Sequence, residues 1–289
     1  MVTGGGAMSR RAELRGGVHV VDLGPGQGGD TTFLLLHGLG GTLRFWSGVA
    51  PALGAVGRTL AIDVPGFGRS ALPGGQVTLD GVADAIIEFC RREGATGCTV
   101  VAHSLSGLIA LRVAAKDPAV CRRLVLVDAT PVAGIEMLLH PARALRAPAL
   151  AATLAAQFVG GLVPLRPWSA GLIARSKVLR SLALGVFVAE PALLDPGLTA
   201  EALSYTGGAR TVLRALRQAR SIDLPALLDA ARVPVDVVRG ERDTMNTAAD
   251  FAIVRRHADV RRELVIRHCR HWPLIEDPQA LIDFILAKE

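Results

Sequence analysis

The chain has 289 residues, half of them hydrophobic and 20% charged. That is apolar enough to build a large core and to exclude a disordered chain. The net charge of +6 comes almost wholly from Arg scattered among acids, with no basic run long enough for a nucleic-acid arm.

The amino terminus, Met1 to Arg15, is Gly-rich with Arg10-Arg11 and has no apolar stretch of signal-peptide type. Residues 1–15 are expected as a loose tail and the location as cytoplasmic. Strand-length apolar runs follow at Val18–Leu23, Thr32–Leu36, Thr59–Ile62, Cys98–Ala102 and Leu124–Val127, then late at Val235–Val238 and Leu264–Ile266. Several are continuous rather than alternating, which suits strands buried on both faces of a parallel sheet. Between them lie helical patterns. Trp46, Val49 and Leu53 share one face, and Val82, Ala83, Ile86 and Cys90 another. Asp277 with Pro278 opens a final helix. Strands alternating with helices predict an α/β fold with a mostly parallel, doubly wound sheet.

The alternation stops between Thr130 and about Arg232, where Pro and Gly punctuate helical patterns. This predicts a helical insertion between two sheet strands. Within it, Ala147–Leu165 carries no charge and reaches the lower length of a membrane span. Pro148, Pro164 and Gly160-Gly161 interrupt it, so a short apolar helix pair over a pocket is expected. The cysteines Cys90, Cys98, Cys121 and Cys269 match no zinc or Cys-x-x-Cys spacing and are expected as free buried thiols.

The run Cys98–Ala102 leads directly into His103-Ser104-Leu105-Ser106-Gly107 and an apolar helix. Strand, sharp turn and helix is the setting of a nucleophile elbow, in which the residues two before and two after the serine must be small. Here they are Ala102 and Ser106. Asp243 follows Val235–Val238, and His271 follows Leu264–Ile266. Ser104, Asp243 and His271 thus stand in the order nucleophile, acid, base, each after a strand's carboxyl end. The residue types suit the chemistry. A serine hydroxyl needs a base, imidazole serves near neutrality, and a carboxylate fixes its tautomer. For an oxyanion, the loop His37-Gly38-Leu39-Gly40-Gly41 offers the backbone N–H of Leu39, joined by that of Leu105. Rivals are Ser106 for the nucleophile, His268 for the base, and Asp128 for the acid, with Glu241 and Asp236 less well placed. Asp63 is expected to brace the Pro65–Gly68 turn, and Arg270 to point outward. Phe45, Trp46 and Trp168 are expected as packing rather than ligand contacts, and Leu150, Leu154, Phe158, Leu162 and Trp168 as partly core of the insertion, with some lining the pocket. The glycines do not form a phosphate loop, because Gly-Lys-Ser/Thr is absent.

His37-Gly38-Leu39-Gly40-Gly41, Asp63-Val64-Pro65-Gly66-Phe67-Gly68-Arg69-Ser70, the elbow, Gly240-Glu241-Arg242-Asp243 and His271-Trp272-Pro273 together resemble the α/β-hydrolase superfamily, from about Val18 to the carboxyl end. The resemblance is to its capped branch of serine esterases, C–C bond hydrolases and cofactor-free haloperoxidase-like proteins. It implies an eight-stranded core over 16–130 and 208–289 and a helical cap over 131–207, after the sixth strand. Serine at position 104 argues against dehalogenase and epoxide-hydrolase relatives, which use Asp there. The implied activity is cleavage of a hydrophobic carboxylic ester, thioester or lactone through an acyl-enzyme. C–C bond hydrolysis, haloperoxidase-like chemistry and a slow-turnover ligand receptor stand as alternatives. No metal or organic cofactor is implied. The expected partner is a small hydrophobic acyl substrate. No nucleic acid or transmembrane segment is expected, while peripheral membrane contact through the cap is left open, as is the oligomeric state.

Overall fold

The computed structural model describes residues 12–24, 31–72, 78–129, 137, 140–162, 165–204, 218 and 221–287. The strands are β1 (Glu13–Arg15), β2 (Val18–Asp22), β3 (Thr32–Leu36), β4 (Arg58–Ile62), β5 (Cys98–His103), β6 (Cys121–Val127), β7 (Val235–Gly240) and β8 (Val260–Ile266). They form one 8-stranded sheet in the order β1-β2-β4-β3-β5-β6-β7-β8. β2 pairs antiparallel with both β1 and β4, and β3 to β8 run parallel with one another. Alternate side chains of each strand enter opposite cores. Leu34 and Leu36 face the core that holds α2 (Leu79–Arg92) and α3 (Ser106–Lys116). Phe33 and Leu35 face α1 (Ala50–Val56) and the carboxyl-terminal helix. This two-sided burial explains the continuous apolar runs. Trp46, Val49 and Leu53 share the expected buried face, although a 3₁₀ turn over Leu43–Trp46 precedes the α-helix. Burying a leucine of this kind contributes roughly 1.5–3 kcal/mol.

Three strands differ from expectation by three residues or more; β6 starts at Cys121 rather than Leu124, with Cys121 opposite Cys98. Glu13–Arg15 is strand, not tail; the remainder of the expected tail, residues 1–11, lies outside the described residues. Gly16 and Gly17 have φ of +56° and +85°, the left-handed pair that closes a two-residue hairpin. Arg15 then pairs with Asp22 and Glu93. β8 starts at Val260 rather than Leu264. Its first half carries the charged run Arg261-Arg262-Glu263, which suits a sheet edge, where charge blocks further pairing.

Between β6 and β7 the described residues contain no strand. They form α4 (Pro148–Leu162), α5 (Pro167–Arg175), α6 (Lys177–Leu184), α7 (Pro196–Ser204) and α8 (Leu224–Ala230). The expected helix pair over Ala147–Leu165 is a single 15-residue helix. The Gly160-Gly161 pair does not break it, since glycine costs an α-helix only about 1 kcal/mol. At 1.5 Å per residue it falls short of a bilayer core, and no described helix is long and apolar enough to cross a membrane. The expected boundaries at 131 and 207/208 lie outside the described residues. After β7 come α9 (Ala248–His257), the short α10 (Pro273–Glu276) and α11 (Pro278–Leu286), the last capped by Asp277 as its sequence predicts. All four cysteines are free and buried.

Candidate active site

β5 ends at His103, and Ser104 occupies the turn before α3 with φ +54°. Left-handed backbone is strained for a non-glycine residue and lifts the side chain off the sheet edge. The turn packs closely enough that neighbouring positions have no room for a Cβ. One added at Gly38 would sit 2.9 Å from the Cβ of Ser104. Ser106 lies inside the helix, buried, and donates its hydroxyl to the carbonyl of His37. It is therefore occupied structurally rather than presented.

Ser104 meets Asp243 and His271, both more than a hundred residues further along the chain, at this edge. The Oγ of Ser104 is 2.9 Å from Nε2 of His271, and Nδ1 of the same ring is 2.8 Å from Oδ2 of Asp243. All three are buried. The rivals fall elsewhere. His268 is exposed against Arg242. Glu241 is exposed and accepts the backbone N–H of His268. Asp236 is buried between Arg123 and Arg262, two strands' charges closing on one carboxylate. Asp63 braces its turn as expected, accepting N–H groups from Leu43 and Arg69 at 2.8 and 2.9 Å. Arg270 points outward only in part, because its Nε is buried.

Asp128 is the rival that does reach the site. It is wholly buried at the end of β6, and its carboxyl accepts the Gly240 N–H. Ligand-type atoms of Asp128, Asp243 and His271 lie within 4.8 Å of one another. This grouping could suggest a metal site, but the three groups already hydrogen-bond among themselves. Two carboxyls so close in a dry site do not both ionise. Burial, and then the charge of Asp243, push the Asp128 carboxyl well above the usual range. Burial would raise Asp243 as well. The charge of His271, its hydrogen bond and the hydrogen bond from Asp128 outweigh that and bring Asp243 down to about 2. The pair thus divides into a protonated Asp128 and an ionised Asp243. Asn246 adds its Nδ2, 3.1 Å from Oδ2 of Asp243, and the Met245 N–H donates to Oδ1 at 2.8 Å.

Three further groups were not singled out in the sequence. His103, next to the serine, donates from Nε2 to the carbonyl of His271 at 2.7 Å. The His271 N–H in turn donates to the carbonyl of Phe187, at 2.9 Å. Glu276 accepts N–H groups from Arg270 and Trp272 with one oxygen and from Ala189 with the other. The base is therefore held by its backbone from three directions. The sequence signal was faint: a glutamate five residues past the histidine, and a histidine adjoining the serine.

Burial, followed by the nearby charge of His271, lowers His103 to about 3. An unfolded histidine takes up its proton near pH 6.5, so between those values the unfolded chain binds the extra proton and is favoured. Stability is expected to fall with pH through that window by about 1.4 kcal/mol per unit from this residue alone. His103→Gln retains a donor for the His271 carbonyl and should flatten the slope. Equal slopes for the two proteins in denaturant unfolding between pH 6.5 and 4 would contradict this.

The serine opens into a cavity of about 120 Å³. The sheet side supplies Gly38, Leu39, Gly40, Phe45, His103 and Trp272; the insertion supplies Ala156, Ala183, Leu184, Ala202 and Leu203 from its helices and Phe187 from the turn after α6. Phe187 stacks on Trp272 at 5.9 Å between ring centres. Trp168, expected as packing, is instead 66% exposed. The side chains of Phe158 and Leu162 lie outside the described residues. Among the described residues neither Leu39 nor Leu105 donates its N–H to a backbone carbonyl.

Comparison with known proteins fits this architecture. RutD of Yersinia enterocolitica, which carries the name of a carbamate hydrolase, is 37% identical over 103 residues, 35% of this chain and 37% of its own. A pimeloyl-[acyl-carrier protein] methyl ester esterase of Aeromonas hydrophila is 34% identical over 107 residues, 37% of this chain and 40% of its own. The matches thus span well under half the length of these curated relatives. A bacterial membrane phospholipase A has the same fold, with a TM-score of 0.68 at 21% identity over 96% of this chain and 84% of that one. Residues 33–284 match the Alpha/beta hydrolase family, and with an eight-stranded, mostly parallel sheet carrying helices on both faces, the chain belongs to that family.

Proposed function

We propose that the protein is a serine hydrolase of hydrophobic carboxylic esters, thioesters or lactones. The observation that carries this reading is the unbroken hydrogen-bond chain from Ser104 Oγ through His271 to Asp243, at 2.9 and 2.8 Å, at the floor of an apolar cavity. His271 takes the hydroxyl proton as Ser104 attacks the acyl carbonyl, then returns it to the leaving group; water enters by the same route and frees the acid. Asp243, held ionised, fixes the imidazole with Nε2 free to accept. The N–H groups of Leu39 and Leu105 are the donors for the tetrahedral oxyanion. Loss of one such donor costs roughly 3–4 kcal/mol at the transition state. Residues 131–207 act as the cap that closes the cavity, and Phe187 and Trp272 form its aromatic wall.

The similarity to a methyl ester esterase supports an ester over the other bond types. The narrow apolar space supports a slim acyl chain. Turnover of p-nitrophenyl esters of rising chain length is expected to show a maximum at a short to medium acyl chain. Absence of turnover along the whole series, with no fluorophosphonate labelling, would remove the assignment.

A further inference from the structure

The stretch from Met137 to Ala189 carries Arg143, Arg146, Arg166, Arg175, Lys177 and Arg180 and not one Asp or Glu. Arg180 is buried, its guanidinium donating to the carbonyls of Ala174 and Ala192, whereas Arg146, Arg166, Arg175 and Lys177 face solvent; in a chain with 26 acids this is a local charge bias. The same stretch leaves large apolar side chains in solvent. Trp168 and Leu172 lie one turn apart on α5, with Arg175 another turn on. Val178 and Leu182 lie one turn apart on α6, 68% and 78% exposed, beside Lys177. The opposite sides of these helices are buried through Ala170, Ala174 and Leu184. Only Ser176 separates the two helices, and they pack against each other, so the two exposed apolar stretches are neighbours in the fold. Exposed tryptophan and leucine fringed by cations, with long basic stems free to reach outward, is the composition of a helix that rests in a lipid interface.

We infer that the outer face of α5 and α6 docks on an anionic lipid bilayer. A second copy of the chain is the less suitable occupant, because pairing this face with itself would bring Arg175 and Lys177 against like charges, and neither helix carries an acid of its own. α6 is also one helix thick between the two environments. Val178 and Leu182 face outward, while Ala183 and Leu184 line the cavity above Ser104. Docking therefore sets the cavity wall against the membrane, one helix from Ser104. That this brings a lipid-borne acyl substrate close to the serine rests on the hydrolase reading; the docking does not.

The test is co-sedimentation of the full chain with phosphatidylcholine vesicles, with and without phosphatidylglycerol. Binding is expected only with the anionic lipid and should weaken at least 10-fold at about 1 M salt, where charges are screened beyond ~3 Å. Trp168→Ser with Leu182→Ser, and separately Arg175→Glu with Lys177→Glu, should each cut partitioning about 10-fold or more. All four positions face solvent, so turnover of a soluble short-chain ester should stay at the wild-type rate. That activity readout separates a failed docking surface from a misfolded or inactive enzyme. Tryptophan emission should shift to the blue on binding, and Trp168→Phe should remove the shift. Equal binding to neutral vesicles, undiminished binding by either double variant, or a dimer in solution that both variants dissolve would overturn the inference.

Discussion

Replacing Ser104 by alanine is expected to lower ester turnover by about 10⁴-fold or more and to abolish covalent labelling by a fluorophosphonate. No other described hydroxyl is in a position to take over. Ser106 is the nearest in sequence, but its hydroxyl is spent on the His37 carbonyl and its backbone is helical. His271 would then have no nucleophile to deprotonate except water, and only the oxyanion donors and the fit of the cavity would remain. Folding should survive, since Ser104 contributes its strained turn through the backbone and alanine removes one atom. A melting temperature near wild type together with lost turnover is the expected pair of results. Retained labelling in the alanine variant would place the nucleophile elsewhere and overturn the proposed mechanism.

The second large effect separates the two neighbouring acids. Asp243→Asn puts an amide N–H against Nδ1 of His271, which forces the ring proton onto Nε2 and leaves nothing to accept the serine proton. kcat is expected to fall about 10³- to 10⁴-fold. Asp128→Asn is expected to cost less than about 10-fold. The protonated Asp128 is already neutral, and an asparagine of the same shape both donates to Asp243 and accepts the Gly240 N–H that now reaches Asp128. The asymmetry is the informative quantity. If Asp128→Asn proved the more damaging change, the acid assignment would move from β7 to β6 and the charge division between the carboxyls would be reversed.

The parallel strands and the order of serine, acid and histidine were legible because each has a local physical signature. Strands buried on both faces read as unbroken apolar runs, and a strained turn demands small neighbours. What escaped had a different origin. Glu13–Arg15 is too short and too charged to register as a strand, and only its pairing with Val18–Asp22 makes it one. β8 hid its first half behind edge charges. Asp128 was visible as a candidate, but not as a second acid beside Asp243, because that proximity arises from β6 and β7 lying side by side. Trp168 was expected as packing since sequence assigns aromatic residues to cores by default; which face of a helix is covered depends on the partners it meets.

The grip on the histidine loop couples two parts of the fold. The carbonyl of Phe187 and the amide of Ala189 belong to the segment that walls the cavity, yet they hold the peptide carrying the imidazole and the Glu276 that organises it. Changing the substrate by grafting a foreign segment here would also re-aim the proton acceptor. A substitution that shifts 187–189 is therefore expected to change recognition and reactivity together, because both depend on the same few atoms of main chain.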